Sequence, residues 1–164
     1  MSMPVLVTYA SKHGATEGIA EAIGERLRER GIKTEVEPIG DRDDLGAVDA
    51  VVVGSAIYMG SWMKEASAFL ERHRDELDTL PVWLFSSGPT GEGPTEVGLA
   101  DKQLAKLAGL VAAREHHVFF GAIDPERLGF LERRIVKTVK APTGDFRDWD
   151  EVRSFADRIA GGLS

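Results

Sequence analysis

Ser11, Lys12, His13, Gly14, Ala15 and Thr16 stand between a short apolar run and a stretch with helical spacing. A strand-to-helix turn of this kind aims free backbone N–H groups, and the positive end of the helix, at whatever it encloses. Ser11 and Thr16 add hydroxyl donors, and Gly14 lets the backbone approach an anion closely. The chemistry these residues can supply is phosphate binding. The same residues also read as a capped helix start, with Thr16 or Ser11 as the N-cap. The loop is not a Walker A loop, because the Gly-Lys-Ser/Thr ending is missing, and it is not a dinucleotide G-x-G-x-x-G turn.

Two further loops hold chemistry-bearing residues. Residues 54–62, GSAIYMGSW, gather Ile57, Tyr58, Met59 and Trp62. Exposed loops rarely carry such side chains together unless something packs on them. A planar aromatic ligand would explain the set, and so would a simple cover over the core. Residues 86–94, SSGPTGEGP, are rich in glycine and proline. Main-chain groups there can meet the polar edge of a ring; Glu92 to Pro94 read as surface loop. His73, His116 and His117 have no metal-ligand spacing, and no acid–base constellation is evident.

These loops need elements to position them. Pro4–Tyr9, Asp49–Gly54, Pro81–Ser87 and His117–Gly121 are short apolar runs that read as strands, most of them rich in β-branched or aromatic residues. Lys33–Pro38 alternates and suits a less buried strand. Ile19, Ala20, Ile23 and Leu27 recur at helical intervals, and Gly31 reads as the residue just past the helix end. Trp62–Leu77, residues 99–113 and Trp149–Ile159 read as further helices, with Ala66, Phe69, Leu70 and His73 inward in the first of them. A weak helical turn falls near Leu45. Strands alternating with helices predict a parallel sheet covered on both faces. Right-handed crossovers allow the doubly wound order 2-1-3-4-5, which brings the three loops together at the carboxyl ends of the strands.

The 164 residues fit one domain, 1–164. Cysteine is absent, which removes disulfides, thiolate ligands and a cysteine nucleophile. A net charge of −7 argues against nucleic acid as a partner. No apolar run is long enough to span a bilayer, no signal-peptide pattern is visible, and a cytoplasmic location is expected.

The stretch YASKHGAT, followed by EGIAEAIGERL, resembles the phosphate loop of flavodoxin-fold proteins, with its hydroxyl-x-x-Gly-x-hydroxyl pattern. VVVGSAIYMGSW and LFSSGPTG fall where that family places its two flavin-ring loops. Within the fold the chain most resembles the flavodoxin-domain group that includes menaquinone-dependent protoporphyrinogen dehydrogenases, on VVVGSAIYMGSWMKEA, FFGAI and TGDFRDWDEVRSFADRIA. The resemblance implies a flavodoxin-like three-layer α/β sandwich, a five-stranded parallel sheet of order 2-1-3-4-5, and FMN as cofactor. Ser11, His13, Gly14, Ala15 and Thr16 would donate to the FMN phosphate, and Lys12 would add charge. Ala56, Ile57, Tyr58, Met59, Gly60 and Trp62 would line the isoalloxazine, with Tyr58 or Trp62 stacking. Gly60 would offer a peptide carbonyl to flavin N5. Ser86, Ser87, Gly88 and Thr90 would bracket the other side. No side chain is assigned a catalytic role and no metal is implied, because the flavin performs the redox chemistry. One difference separates the chain from the dehydrogenase members, which carry a longer basic insertion after the fourth strand. Here Gly88–Asp101 is short and contains Glu92 and Glu96, a difference that bears on the porphyrinogen more than on the flavin.

Residues 125–142, PERLGFLERRIVKTVKAP, form a basic amphipathic segment before the last helix. It carries Arg127, Arg133, Arg134, Lys137 and Lys140 against Glu126 and Glu132. Such a segment can touch an anionic membrane face or a partner, or simply pack beside the sheet with a solvated basic side. The leading expectation is an FMN-dependent oxidoreductase that takes electrons from a reduced donor and passes them to a quinone, menaquinone among the candidates. A flavodoxin-type electron carrier is the alternative, and a flavin-free binding module comes third. A basic patch within an acidic chain weighs against the carrier. Intact Ser11, Gly14 and Thr16 weigh against the module.

Overall fold

The computed structural model describes residues 3–11, 14–40, 44–58, 61–88, 101–119, 122–123, 144–145 and 147–163. The strands of the main sheet are β1 (Val5–Ala10), β2 (Thr34–Pro38), β3 (Ala50–Tyr58), β4 (Ser61–Trp62), β5 (Val82–Ser87) and β6 (Glu115–Phe119). Helices α1 (Ala15–Glu29), α2 (Lys64–Arg72), α3 (Arg74–Leu77), α4 (Asp101–Leu110) and α5 (Trp149–Leu163) connect and follow them. The sheet order is β2-β1-β3-β5-β6, with β4 folded back antiparallel on β3. Counted over the five parallel strands this is the expected order 2-1-3-4-5.

Strand alternation sorts the core into two halves. Val5, Val7 and Tyr9 of β1 and Ala50 and Val52 of β3 meet Ile19, Ile23 and Leu27 of α1 and Val152, Phe155 and Ile159 of α5. Their neighbours Leu6, Val51 and Val53 turn to the opposite face, against Phe69 and Leu70 of α2, Leu77 of α3 and Leu107 of α4. Successive side chains of a strand point to opposite faces, so a strand buried on both sides must be apolar throughout. Strand β2 lies at the edge, and only Thr34 within it is buried.

Helix α1 ends as its sequence predicts. Gly31 takes φ 81°, and the pair Gly31 N–H to Arg28 O and Ile32 N–H to Leu27 O closes the last turn as a Schellman motif. On its far side α1 is tied to α5 by Arg26, whose Nε donates to Asp157 at 2.8 Å, and by Arg30 at 3.2 Å. These guanidinium groups hold the Asp157 carboxyl below the usual carboxylate range.

Five expectations are corrected. Strand β3 runs on to Tyr58, because Ser55 pairs with Ala10 and Ser86 while Ala56 pairs with Ser87. The helix expected over 62–77 begins at Lys64 and breaks at His73, which is 4% exposed and packs its ring at a tilt against Phe69. Strand β6 starts at Glu115, and α5 continues to Leu163. Leu45 lies in no helical turn and is buried in the core cluster that holds Leu6, Val51 and Leu70.

The basic segment 125–142 lies outside the described residues. Its flanks pair antiparallel as β7 (Ala122–Ile123) and β8 (Gly144–Asp145), so the chain leaves and returns at one place.

Candidate functional site

Strands β1, β3 and β5 are neighbours in register, so the loops after them meet at one edge of the sheet. Gly54 stands opposite Tyr9 on one side and Phe85 on the other. Such an edge, where the strand order reverses, is where open α/β sheets hold ligands.

The first loop is shaped around Gly14. This residue is the N-cap of α1 at φ 91°, ψ −10°, and no side chain caps the helix. Its N–H donates to Ser11 Oγ at 3.0 Å, which folds the loop back on itself. The first helical bond runs from Gly18 N–H to Gly14 O at 3.2 Å. Helix geometry therefore leaves the N–H groups of Ala15, Thr16 and Glu17 without acceptors inside the helix. Thr16 is 1% exposed, and its Oγ1 has no hydrogen-bond partner among the described residues. A buried hydroxyl without a partner is costly unless a ligand completes it. Neither Ser11 nor Thr16 acts as the N-cap, so the capped-helix reading of this loop does not describe it. Beside the loop a cavity of about 300 Å³ opens, lined by Tyr9, Ala10, Ser11, Glu17, Ile39 and Glu65 among others. Tyr9 Oη donates to Glu17 Oε1 at 3.3 Å.

The second and third loops share a buried polar chain. Trp62 is 4% exposed, and its Nε1–H donates to Ser86 Oγ at 2.7 Å. Ser86 Oγ lies 2.7 Å from His116 Nε2, and the Trp62 and His116 rings meet edge-on at 5.8 Å. With its oxygen accepting from Trp62, the Ser86 hydroxyl is free to donate to Nε2 of a neutral His116. Burial, and to a lesser degree His117, pushes the His116 ring below the ordinary histidine value. Ser55 Oγ accepts from Met63 N–H at 3.0 Å and fixes the start of α2. Gly88 takes φ 101°, and its N–H donates to Phe119 O at 2.9 Å.

This chain gives stability a definite pH dependence. Above about pH 6.5 His116 is neutral in the folded and unfolded chain alike. Below that value only the unfolded chain readily takes the proton, so stability is lost as pH falls. Urea midpoints should drop between about pH 7 and pH 5, and His116→Gln should flatten the drop. An identical slope in the variant would contradict the assignment.

Of the expected site residues, Ser11, Gly14, Ala15 and Thr16 gather at the start of α1, and Ala56, Ile57, Ser87 and Gly88 lie at the ends of β3 and β5. Ala56 and Ile57 are half-buried, Ser87 is buried, and Gly88 follows it directly. Of the two rings expected to stack, Trp62 faces the interior with Ser86. Tyr58 ends β3, and its side chain lies outside the described residues. Lys12, His13, Met59, Gly60 and Thr90 also lie outside them. Sequence reasoning missed His116 as the partner of Ser86. It also missed Arg147, whose guanidinium donates to Ala15 O at 3.5 Å and stacks on Trp149 at 4.8 Å. Neither contact has a signal at short range in the sequence.

A family model described as flavodoxin domain matches residues 6–150. The chain belongs to the flavodoxin-domain family. A flavin is the ligand class this membership implies. Over 96% of its length the chain is 24% identical to the protoporphyrinogen IX dehydrogenase [quinone] of Escherichia coli K12, covering 95% of that protein. Among solved structures it is similar to oxidised flavodoxin 1 from Bacillus cereus, with TM-score 0.65 and 20% identity over 98% of this chain and 99% of that one. It is also similar to rubredoxin oxygen:oxidoreductase from Desulfovibrio gigas, with TM-score 0.64 and 18% identity over 99% of this chain and 37% of that one. Among the described residues no helix is long and apolar enough to cross a membrane, and no group of three or more His, Asp or Glu is placed to hold a metal.

Proposed function

We propose that this chain is an FMN-dependent oxidoreductase of the protoporphyrinogen dehydrogenase type, passing electrons from a reduced donor to a quinone. The observation that carries the flavin is the Thr16 hydroxyl, without a hydrogen-bond partner among the described residues and buried in the first turn of a helix whose N-cap is a left-handed glycine. The similarity to protoporphyrinogen IX dehydrogenase [quinone] along nearly the whole chain supports the donor and acceptor classes.

Ser11, Lys12, His13, Gly14, Ala15 and Thr16 hold the phosphate in this account. Ala56, Ile57, Tyr58, Met59 and Gly60, with Trp62 behind them, form one wall of the ring site. Ser86, Ser87, Gly88 and Thr90 form the other. When bound, the flavin supplies the electron transfer, and the protein sets its position and potential. The Trp62–Ser86–His116 chain keeps the two walls at a fixed separation. The reading places the protein in the cytoplasm, with residues 125–142 as its contact with an anionic membrane face where a quinone is met.

Thr16→Val separates binding from stability. It removes an unpaired buried hydroxyl and keeps the side-chain shape, so the apo chain should gain about 1 kcal/mol. The same change should weaken FMN about tenfold, the loss of one good hydrogen bond to a charged group. Thermal melts and flavin fluorescence titrations read the two signs independently; a variant that loses stability and keeps FMN would contradict the cradle.

The activity is tested by mixing the FMN-loaded chain anaerobically with protoporphyrinogen IX and a menaquinone analogue and following porphyrin fluorescence. The account expects porphyrin formation that needs the quinone, the chain and its flavin together. The carrier reading draws support from the match to a flavodoxin along nearly the whole of both chains. Reduction of protein acceptors, with no porphyrin formed, would favour it.

A further inference from the structure

We propose that the cavity between α2 and α4 is the seat of the electron-accepting quinone, with Gln103 donating to one of its carbonyl oxygens. The inference rests on the oxidoreductase reading above and gives its acceptor a place. The cavity measures about 600 Å³ and lies on the face of the sheet away from α1. Small-molecule sites range over about 300–1,000 Å³, so a two-ring quinone fits whole. Trp62, Met63 and Ala68 supply its apolar lining. Trp62 is also the residue that donates to Ser86 in the wall of the proposed ring site. The cavity therefore adjoins that site through one aromatic side chain.

The polar lining selects the chemistry. Gln103 is half-buried and faces the cavity from α4, one turn before the core residue Leu107. Its Nε2 is buried and has no hydrogen-bond partner among the described residues. A buried amide donor left unpaired is costly, and an oxygen acceptor beside it removes the cost. A turn of the side-chain amide presents the N–H to an oxygen held in the cavity. Charge narrows the choice further. Lys64 and Lys106 line the cavity, and so do Glu65 and Glu71. Their formal charges cancel, so a ligand rich in carboxylates gains no net attraction there. The lining suits a flat, uncharged ring that accepts hydrogen bonds and donates none. A quinone has that chemistry.

The test titrates the apo chain with menadione and follows tryptophan emission, which a quinone beside the Trp62 indole quenches. The chain has no cysteine, so thiol addition to the probe does not compete. Saturable quenching at one menadione per chain is expected. Gln103→Leu removes the donor and should weaken menadione about tenfold, while methylnaphthalene, which lacks the carbonyls, should bind as before. Ala68→Phe fills the cavity from an exposed helix position and should abolish binding of both. FMN affinity should stay unchanged in either variant. Absence of saturable quenching, or full menadione affinity in Gln103→Leu, would overturn the proposal. Protoporphyrin bound more tightly than menadione, and lost in Ala68→Phe, would overturn the choice of an uncharged ligand. Menadione reduction by the FMN-loaded chain at an unchanged KM in Ala68→Phe would overturn the site and leave the oxidoreductase reading standing. Gln103-dependent quenching in a chain that holds no flavin would support the site and sink that reading.

Discussion

Gly14→Asp leaves the chain folded and unable to hold FMN. Two effects act in the same direction. Gly14 has φ 91°, a conformation that costs a non-glycine residue about 1–2 kcal/mol. Aspartate is among the residues that tolerate it best, so the fold survives. The second effect is the larger. The new carboxylate stands at the N-cap of α1, where the phosphate of the ligand must lie, and both are anionic. Like charges a few ångströms apart near a protein surface repel by several kcal/mol, so FMN affinity should fall about a thousandfold or more. Gly14→Ala carries the conformational cost without the charge and should keep FMN within about tenfold of the original affinity. Circular dichroism establishes the fold of each variant, and fluorescence titration reads the flavin. Near-native FMN affinity in Gly14→Asp would remove the cradle from the site.

Gly54→Ala should be the most destabilising single methyl that can be added to the sheet. Gly54 of β3 stands opposite Phe85 of β5. A Cβ there would fall 2.0 to 2.4 Å from three atoms of the Phe85 ring. That ring cannot swing away. It is 0% exposed and boxed by Phe119 at 6.0 Å and Phe155 at 6.4 Å. Overpacking of this kind costs about 1–3 kcal/mol, and the upper end applies where the neighbour is a closed aromatic cluster. For a domain of this size each kcal/mol shifts the melting temperature by about 2–4 °C. FMN affinity should fall as well, because β3 and β5 carry both walls of the proposed ring site. Phe85→Leu makes room for the methyl, so the double variant should be more stable than the two single losses combined would give. Strict additivity would mean that the clash is relieved by backbone movement instead.

The parts of this fold that sequence reveals are those where one local pattern decides the outcome. Val5–Val7 and Val51–Val53 are apolar at every position because both faces of the sheet are covered, and such runs have few other readings. Ile19, Ile23 and Leu27 repeat at the helical period, and Gly31 marks the end because its φ excludes most other residues. The loop at the start of α1 stands out for the same reason, since its hydroxyl and glycine residues lie close together in the chain.

Features decided by tertiary contact are not visible in this way. The apolar run of β3 stops at Gly54, yet the strand continues to Tyr58 because β1 and β5 on either side supply ladder partners for Ser55 and Ala56. Phe69, Leu70, His73 and Leu77 keep a helical period straight through a break that lies at His73. Ser86 and His116 are 30 positions apart, and Trp62 joins them only because β4 folds back on β3. Arg147 and Ala15 are separated by 132 positions, and an arginine two residues before a tryptophan carries no mechanism of its own. What consecutive residues decide can be read in the sequence; what forms across strands needs the structure.

The most direct test of the central claim is an equilibrium titration of the unmodified apo chain with FMN, followed by flavin fluorescence and absorbance. The account predicts saturable binding at one FMN per chain, with riboflavin bound more weakly and inorganic phosphate competing for the site. Absence of saturable FMN binding by the folded chain would contradict it.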